Sequence, residues 1–290
     1  MAKNAGIRMN PKSFHKSQIK FYLTLLPITI FMLLPIVYIV STAFKPLDEL
    51  FLFPPRFLAQ QPTLSNFHNL FAQTRTSVPM LRYLLNSLLV TGIVLVLSVV
   101  ISSMAAYALS KLAFKGKKIL FEVNQLALMF VAATVAIPRY LVIERLGLID
   151  TIWAHIFPVM AIPVGLFLLK QFIDQIPDAL IEAARIDGAS EMLIFRKIIL
   201  PLIKPALSTM AILAFQMVFN NVETSAFYMT TESIRTLAFY MTTLTQDVST
   251  SVAGQGVAAA AALVMFLPNV LMFIFLQAQV MDTVAHSGIK

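Results

Sequence analysis

Residues 176–205 read IPDALIEAARIDGASEMLIFRKIILPLIKP, and this stretch organises the rest of the chain. Pro177 suits the first turn of a helix, where its missing N–H is not needed, and Gly188 suits a helix end. Asp178 to Asp187 is therefore predicted as a short helix. Asp178, Glu182 and Arg185 fall on one charged stripe, while Leu180, Ala183 and Ala184 lie largely elsewhere. The alanines permit close approach by another surface. Ser190 can cap a second helix that has Glu191 in its first turn, and Pro201 is expected to stop it. Two short amphipathic helices joined at a glycine make a plug shaped for a groove. On helical pattern alone, an interfacial loop without a partner explains the same residues.

On both sides of this segment the chain turns apolar. Of 290 residues, 58% are hydrophobic and 12% charged, with a mean hydropathy of +0.80. Soluble domains average about 45–50% apolar and roughly 25% charged residues, so the excess here has to face lipid. Six apolar stretches are long enough to serve as spans: Phe21–Phe44, Ser87–Leu109, Ile119–Pro138, Thr151–Leu169, Ala206–Phe219 and Val257–Leu276. The expected fold is all-α and integral to the membrane. Residues 1–20 would form a cytoplasmic N-terminal segment, and 21–290 a six-helix transmembrane domain with its main cytoplasmic loop at 170–204. The run from Phe21 is too long for the apolar part of a signal peptide and has no small-residue cleavage site after it, so it is expected to stay as a helix.

The net charge of +8 could suggest nucleic acid, but its placement points to membrane orientation. Four segments expected on one side hold 15 of the 22 basic residues: the N-terminus, the loop with Lys111, Lys115, Lys117 and Lys118, the 170–204 loop, and the tail ending in Lys290. The positive-inside rule puts that side, and both termini, in the cytoplasm. The chain has no cysteine, which excludes disulfides, thiolate nucleophiles and zinc–thiolate sites within it. On the other side, residues 45–86 form a long connection. It contains Phe53-Pro54-Pro55 and a short helix expected through Phe67 and Leu70 with Ser65 as its cap.

The residues of the 176–205 stretch also carry a resemblance. Glu182-Ala183-Ala184, three residues, Gly188, nine residues and Ile198-x-Leu200-Pro201 resemble the EAA signature of binding-protein-dependent ABC importer permeases. Ile186-Asp187-Gly188-Ala189 is similar to the version in the carbohydrate-uptake, MalG-like branch. The resemblance implies that this loop is the coupling helix, docking in a cleft of a cytoplasmic ATPase through Glu182, Ala183, Ala184, Arg185, Asp187 and Gly188. Glu182 would pair with a basic residue there. Closure of two ATPases would rock the spans between inward-facing and outward-facing states. The implied partners are a second, MalF-like permease, two ABC ATPase subunits, an extracytoplasmic solute-binding protein, a carbohydrate and membrane lipid, in a bacterial or archaeal cytoplasmic membrane. The tail from Met281 to Lys290 is loosely similar to MalG-type tails that touch the ATPases.

None of the nine glycines sits in a phosphate-binding loop with the required Lys and Ser or Thr. ATP and Mg are therefore expected on the partner ATPases, and no cofactor on this chain. Asn124, Gln125, Asn220 and Asn221 are candidates for lining a pathway, although interhelical hydrogen bonding is the default for Asn124 and Gln125. Phe219 stands where many relatives have tryptophan. Glu122 is read as interfacial and His155 as a packing residue. The five successive alanines in Val257–Leu263 suggest a tight helix contact. Intramembrane proteolysis would need a dyad or zinc motif that the spans lack. A self-contained carrier would need charged groups near the midplane, where this chain is almost free of them. An importer of a non-sugar solute or polyol is the remaining alternative.

Overall fold

The computed structural model describes residues 19–72, 78–248 and 251–287. Within them the backbone is mostly helical and forms no strand. That suits a chain in lipid, where each N–H and C=O has to be satisfied inside its own segment. The basic residues Lys3, Arg8, Lys12 and Lys16, and the end of the tail at 288–290, lie outside the described residues. Two compact units are present, Met1–Ala72 with Asp247–Leu263, and Gln73–Gln246 with Val264–Lys290.

In the first unit, α1 (Ile19–Phe44) contains Pro27 and Pro35 and leaves its apolar side chains exposed along most of its length. The one-turn α2 (Leu47–Leu50) and α3 (Ser65–Ala72) follow. Buried Asn66 donates to the carbonyls of Ala43 (3.0 Å) and Lys45 (2.7 Å), satisfying groups that the end of α1 leaves open. Ser41 Oγ donates to the Phe57 carbonyl at 2.9 Å and accepts from the Ala59 N–H at 2.8 Å. Glu49 accepts from the N–H groups of Gln60 and Gln61, which hold its carboxyl below the usual range, Gln60 most strongly. Ser65 is not the cap of α3: it lies inside the helix, and its own N–H donates to Thr63 Oγ1 at 3.2 Å. Gly256 rests on Asn66, where a Cβ would come within 2.6 Å of the side-chain amide.

The second unit is built on α4 (Met80–Lys111), which packs chiefly against α8 and α12, defined below. Its expected span at Ser87–Leu109 is present inside a longer helix of 32 residues. The expected third span is bent. α5 (Lys117–Met129) and α6 (Ala132–Arg145) meet at 114°, with extended backbone at Phe130 and Val131. The expected fourth span is also interrupted, because Pro158 and Pro163 each remove a helical N–H. It consists of α7 (Trp153–Ile156) and α8 (Pro163–Asp174), with no regular helix between them.

Beyond α8 come α9 (Asp178–Ile186), α10 (Glu191–Ile194), a π-helical turn at Phe195–Ile199 and α11 (Leu200–Leu202). Pro201 does not stop this helix at once. It sits in the short α11 after the π-turn, and the break falls at Ile203. α12 (Lys204–Phe219) then leaves at 80° to Glu191–Leu202. α13 (Glu223–Tyr228), α14 (Leu237–Val248) and α15 (Gln255–Ser287, with Pro268 inside) complete the order. Among the described residues three helices are long and apolar enough to cross a membrane alone, and five segments qualify if each bent pair is one span.

His155 is 1% exposed and fully engaged. Its Nε2 lies 3.0 Å from the Ile234 carbonyl, which can only accept, so this nitrogen carries the proton. Its Nδ1 lies 2.8 Å from the Thr224 hydroxyl, which in turn bonds to Asn221 Oδ1 at 3.0 Å. The packing role expected from the sequence is what the geometry gives.

Candidate functional site

The 176–205 stretch forms a helical hairpin seated on an apolar base. Ile181, Ile194, Phe195, Ile199 and Ile203 join Ala106, Tyr107, Leu169, Ile173 and Met210 in one buried cluster. Helical spacing puts Ile181 and Ala184 on the same inward side of α9, and Ala184 packs against that cluster. The opposite face of α9 and the turn beyond it present Glu182, Ala183, Arg185, Ile186, Asp187 and Gly188 to the outside. Ile186 is 86% exposed at the end of α9, while Ile181 on the same helix is buried.

The turn between the helices has a defined hydrogen-bond pattern. Gly188 adopts φ 80°, in the left-handed region that glycine enters without strain. The Ala189 N–H bonds to the Ala184 carbonyl (2.9 Å) and the Gly188 N–H to that of Arg185 (3.0 Å), the paired bonds of a Schellman end. Ala184 and Ala189 then both reach the apolar base, the small-residue contact that accompanies this motif. Ser190 caps the next helix by accepting from the Leu193 N–H at 3.3 Å.

Charges tie the hairpin to α4. The Lys111 ammonium, with its side chain only 6% exposed, donates to Asp178 Oδ1 and to the Ile176 carbonyl, both at 2.6 Å. The lysine holds the Asp178 carboxyl below its ordinary range. Glu191 accepts from Arg185 Nε at 2.8 Å and from the Tyr107 hydroxyl at 2.5 Å. Arg185 first, then Tyr107, lower the Glu191 carboxyl, and Glu191 in return raises the Arg185 guanidinium. Arg185 is thus committed to an internal pair, whereas the Glu182 side chain is exposed and makes no hydrogen bond or ion pair among the described residues. Sequence reasoning missed Tyr107 and Lys111, because nothing local on α4 signals a partner about 70 to 85 positions away.

The candidate pathway residues fall in different places. Asn124 donates to the Pro163 carbonyl at 3.2 Å, bridging α5 to the start of α8, and Gln125 is exposed. Asn221 turns into the structure and accepts from the Thr224 N–H at 2.9 Å. Asn220 faces outward at the end of α12 and pairs with Asn269 of α15. Glu122 is exposed, 3.8 Å from Lys118.

A hairpin of this form, held on a bundle of bent apolar helices, can be set beside known proteins. Residues 23–280 match the family model described as "binding-protein-dependent transport system inner membrane component". The chain belongs to this family.

Its relatives include the trehalose/maltose transport system permease protein MalG of Thermococcus litoralis, 36% identical over 65% of this chain and 67% of that one. The arabinooligosaccharides transport system permease protein AraQ of Halalkalibacterium halodurans is 29% identical over 88% of this chain and 90% of the relative. A chain of a bacterial ABC transporter that imports the acidic polysaccharide alginate shares the fold with a TM-score of 0.77, at 22% identity, over 93% of this chain and 99% of the other. Membership of an inner-membrane transport family accounts for the apolar composition.

Proposed function

We propose that this chain is a permease subunit of an ATP-driven importer and forms half of the transmembrane pathway for a carbohydrate. The observation that carries the reading is the outward face of α9, which leaves Glu182, Ala183 and Ile186 uncovered while Ile181 and Ala184 hold the helix to its base. An apolar side chain beside a carboxylate on a firmly mounted helix is the arrangement of a docking surface. The family and the sugar-permease names of relatives such as MalG and AraQ support the same reading.

In this account the chain makes six spans. α1, α4, α12 and α15 count as one span each, as do α5 with α6 and α7 with α8. Both termini and the 170–204 loop lie in the cytoplasm, a placement that the distribution of lysine and arginine supports. A MalF-like permease completes the pathway, two ATPases hold ATP and Mg, and an extracytoplasmic binding protein delivers the sugar. Closure of the ATPases pushes on the hairpin. Its buried base and the Lys111–Asp178 and Glu191–Tyr107 links would pass that push to α4.

The test is uptake of radiolabelled trehalose, maltotriose and an arabino-trisaccharide into cells with and without an in-frame deletion of this chain. Loss of uptake of one sugar, restored by the wild-type chain and not by Glu182→Lys, supports the reading. Uptake of all three unchanged by the deletion contradicts it.

A further inference from the structure

Outside the hairpin, the most unusual polar feature is the amide pair of Asn220 and Asn269. Asn220 Nδ2 donates to Asn269 Oδ1 (3.2 Å) and to the Gln216 carbonyl (2.9 Å). Asn269 Nδ2 donates to Asn220 Oδ1 (3.3 Å) and to the Met265 carbonyl (2.9 Å). The backbone carbonyls can only accept, so the orientation of both amides is fixed. All four amide hydrogens are then used, and each Oδ1 accepts one bond and keeps a free acceptor site. The pair therefore faces outward as an acceptor surface with no proton left to give.

Its surroundings narrow the ligand further. Phe266, Asn269 and Phe273 recur at helical spacing on one side of α15, the two rings 43% and 48% exposed. Gln216 lies one turn before Asn220 on α12 and is exposed. Polar side chains at membrane depth avoid lipid and turn to a cavity or to another helix. Close helix contacts in membranes favour small residues, and this face carries phenylalanine and glutamine instead. Aromatic faces above and below a pair of acceptors suit a ring whose edge donates hydroxyl protons and whose flat side is apolar.

We infer that Gln216, Asn220, Asn269, Phe266 and Phe273 form a sugar-reading patch in the transport pathway, selective for neutral over acidic saccharides. The inference rests on the proposed importer function and names its substrate class. Acceptors without spare donors attract hydroxyls and repel carboxylates. No lysine or arginine belongs to the patch, and Arg139, on α6, lies 3.6 Å from Glu223 and is engaged there. The alginate importer with the same fold carries an acidic polymer, so the shared fold does not require shared chemistry at this face.

The absence of cysteine makes the test direct, because label on this chain's band can come only from an introduced thiol. Gln216→Cys, Phe273→Cys and, as a lipid-facing control, Leu271→Cys are each made in the complete transporter in native membrane vesicles. They are reacted with a membrane-impermeant maleimide in the presence of trehalose, maltotriose, an arabino-trisaccharide or an alginate trisaccharide. The inference expects labelling at positions 216 and 273 but not 271. It expects one neutral sugar, at roughly ten times its Kd, to slow that labelling about tenfold by simple mass action. The acidic trisaccharide should leave it unchanged. Protection by the acidic sugar, labelling that no sugar slows, or labelling only after the partner permease is stripped away would each overturn it. Co-purification of an ATPase, scored on the same membranes, reports separately on the importer function. An intact complex with an indifferent patch sinks only the inference.

Discussion

Arg185 at the end of α9 and Glu191 at the start of α10 are joined by a 2.8 Å bond across the Gly188 turn, and Tyr107 of α4 binds the other oxygen of the same carboxylate. Glu191 thereby fixes the angle between the two arms of the hairpin and ties both to the helix beneath. Its folded carboxyl lies below the ordinary glutamate value, so its contribution is present above that value and is lost as pH falls through the depressed one. We predict that the protection of the Ala189–Leu193 amides, relative to their intrinsic exchange at each pH, is high at neutral pH and falls only below the usual glutamate range. In Glu191→Gln the same amides should exchange faster already at neutral pH and show no such transition. Hydrogen–deuterium exchange of the detergent-solubilised transporter measures both.

Ile181 and Ile186 sit five positions apart on α9 with opposite surroundings, 2% and 86% exposed. Ile181→Ala removes packing from the base and should cost about 2–4 kcal/mol of stability, as buried isoleucine truncations do. Ile186→Ser should leave thermal unfolding unchanged and yet weaken recovery of the ATPase. Differential scanning fluorimetry and affinity recovery, run on both variants, check the contrast.

Gly188 has open space around its Cα, so a side chain there would meet strain and no clash. Gly188→Ala is expected to cost about 1–2 kcal/mol, the penalty of the left-handed region for a residue with a Cβ. Gly188→Asn should cost less, since asparagine enters this region readily. Equal melting temperatures for all three proteins would contradict this account of the turn.

His155→Leu leaves the Ile234 carbonyl without its ring partner, and a buried group so orphaned costs about 1–3 kcal/mol. The variant should melt lower than wild type. Chelators should not affect the melting of the wild-type chain, because the ring nitrogens are occupied by hydrogen bonds. A chelator-induced shift would overturn the packing role.

Legibility in the sequence follows the range of the physics involved. The hairpin could be read because its signals are local: Pro177 before α9, Gly188 after it and Ser190 as the next cap all act within a few residues. Apolar composition likewise marked α1, α4 and α15. The bend at Phe130–Val131 gave no warning, as neither residue is a proline or glycine and the extended backbone there is a tertiary outcome. Pro158 and Pro163 lie at a full interruption of the helix, which hydropathy averaged over the stretch conceals. Pairings such as Tyr107 with Glu191 and Asn220 with Asn269 depend on helices meeting across 84 and 49 positions, beyond the reach of periodicity.

The central claim is that the exposed face of α9 docks an ATPase. Its most direct test is recovery of tagged wild-type chain and of Glu182→Lys from native membranes in gentle detergent, with mass spectrometry of what accompanies each. The account predicts a P-loop ATPase and a second permease with the wild type, and loss of the ATPase alone with Glu182→Lys. A wild-type chain recovered without an ATPase, or with one indifferent to Glu182, would contradict it.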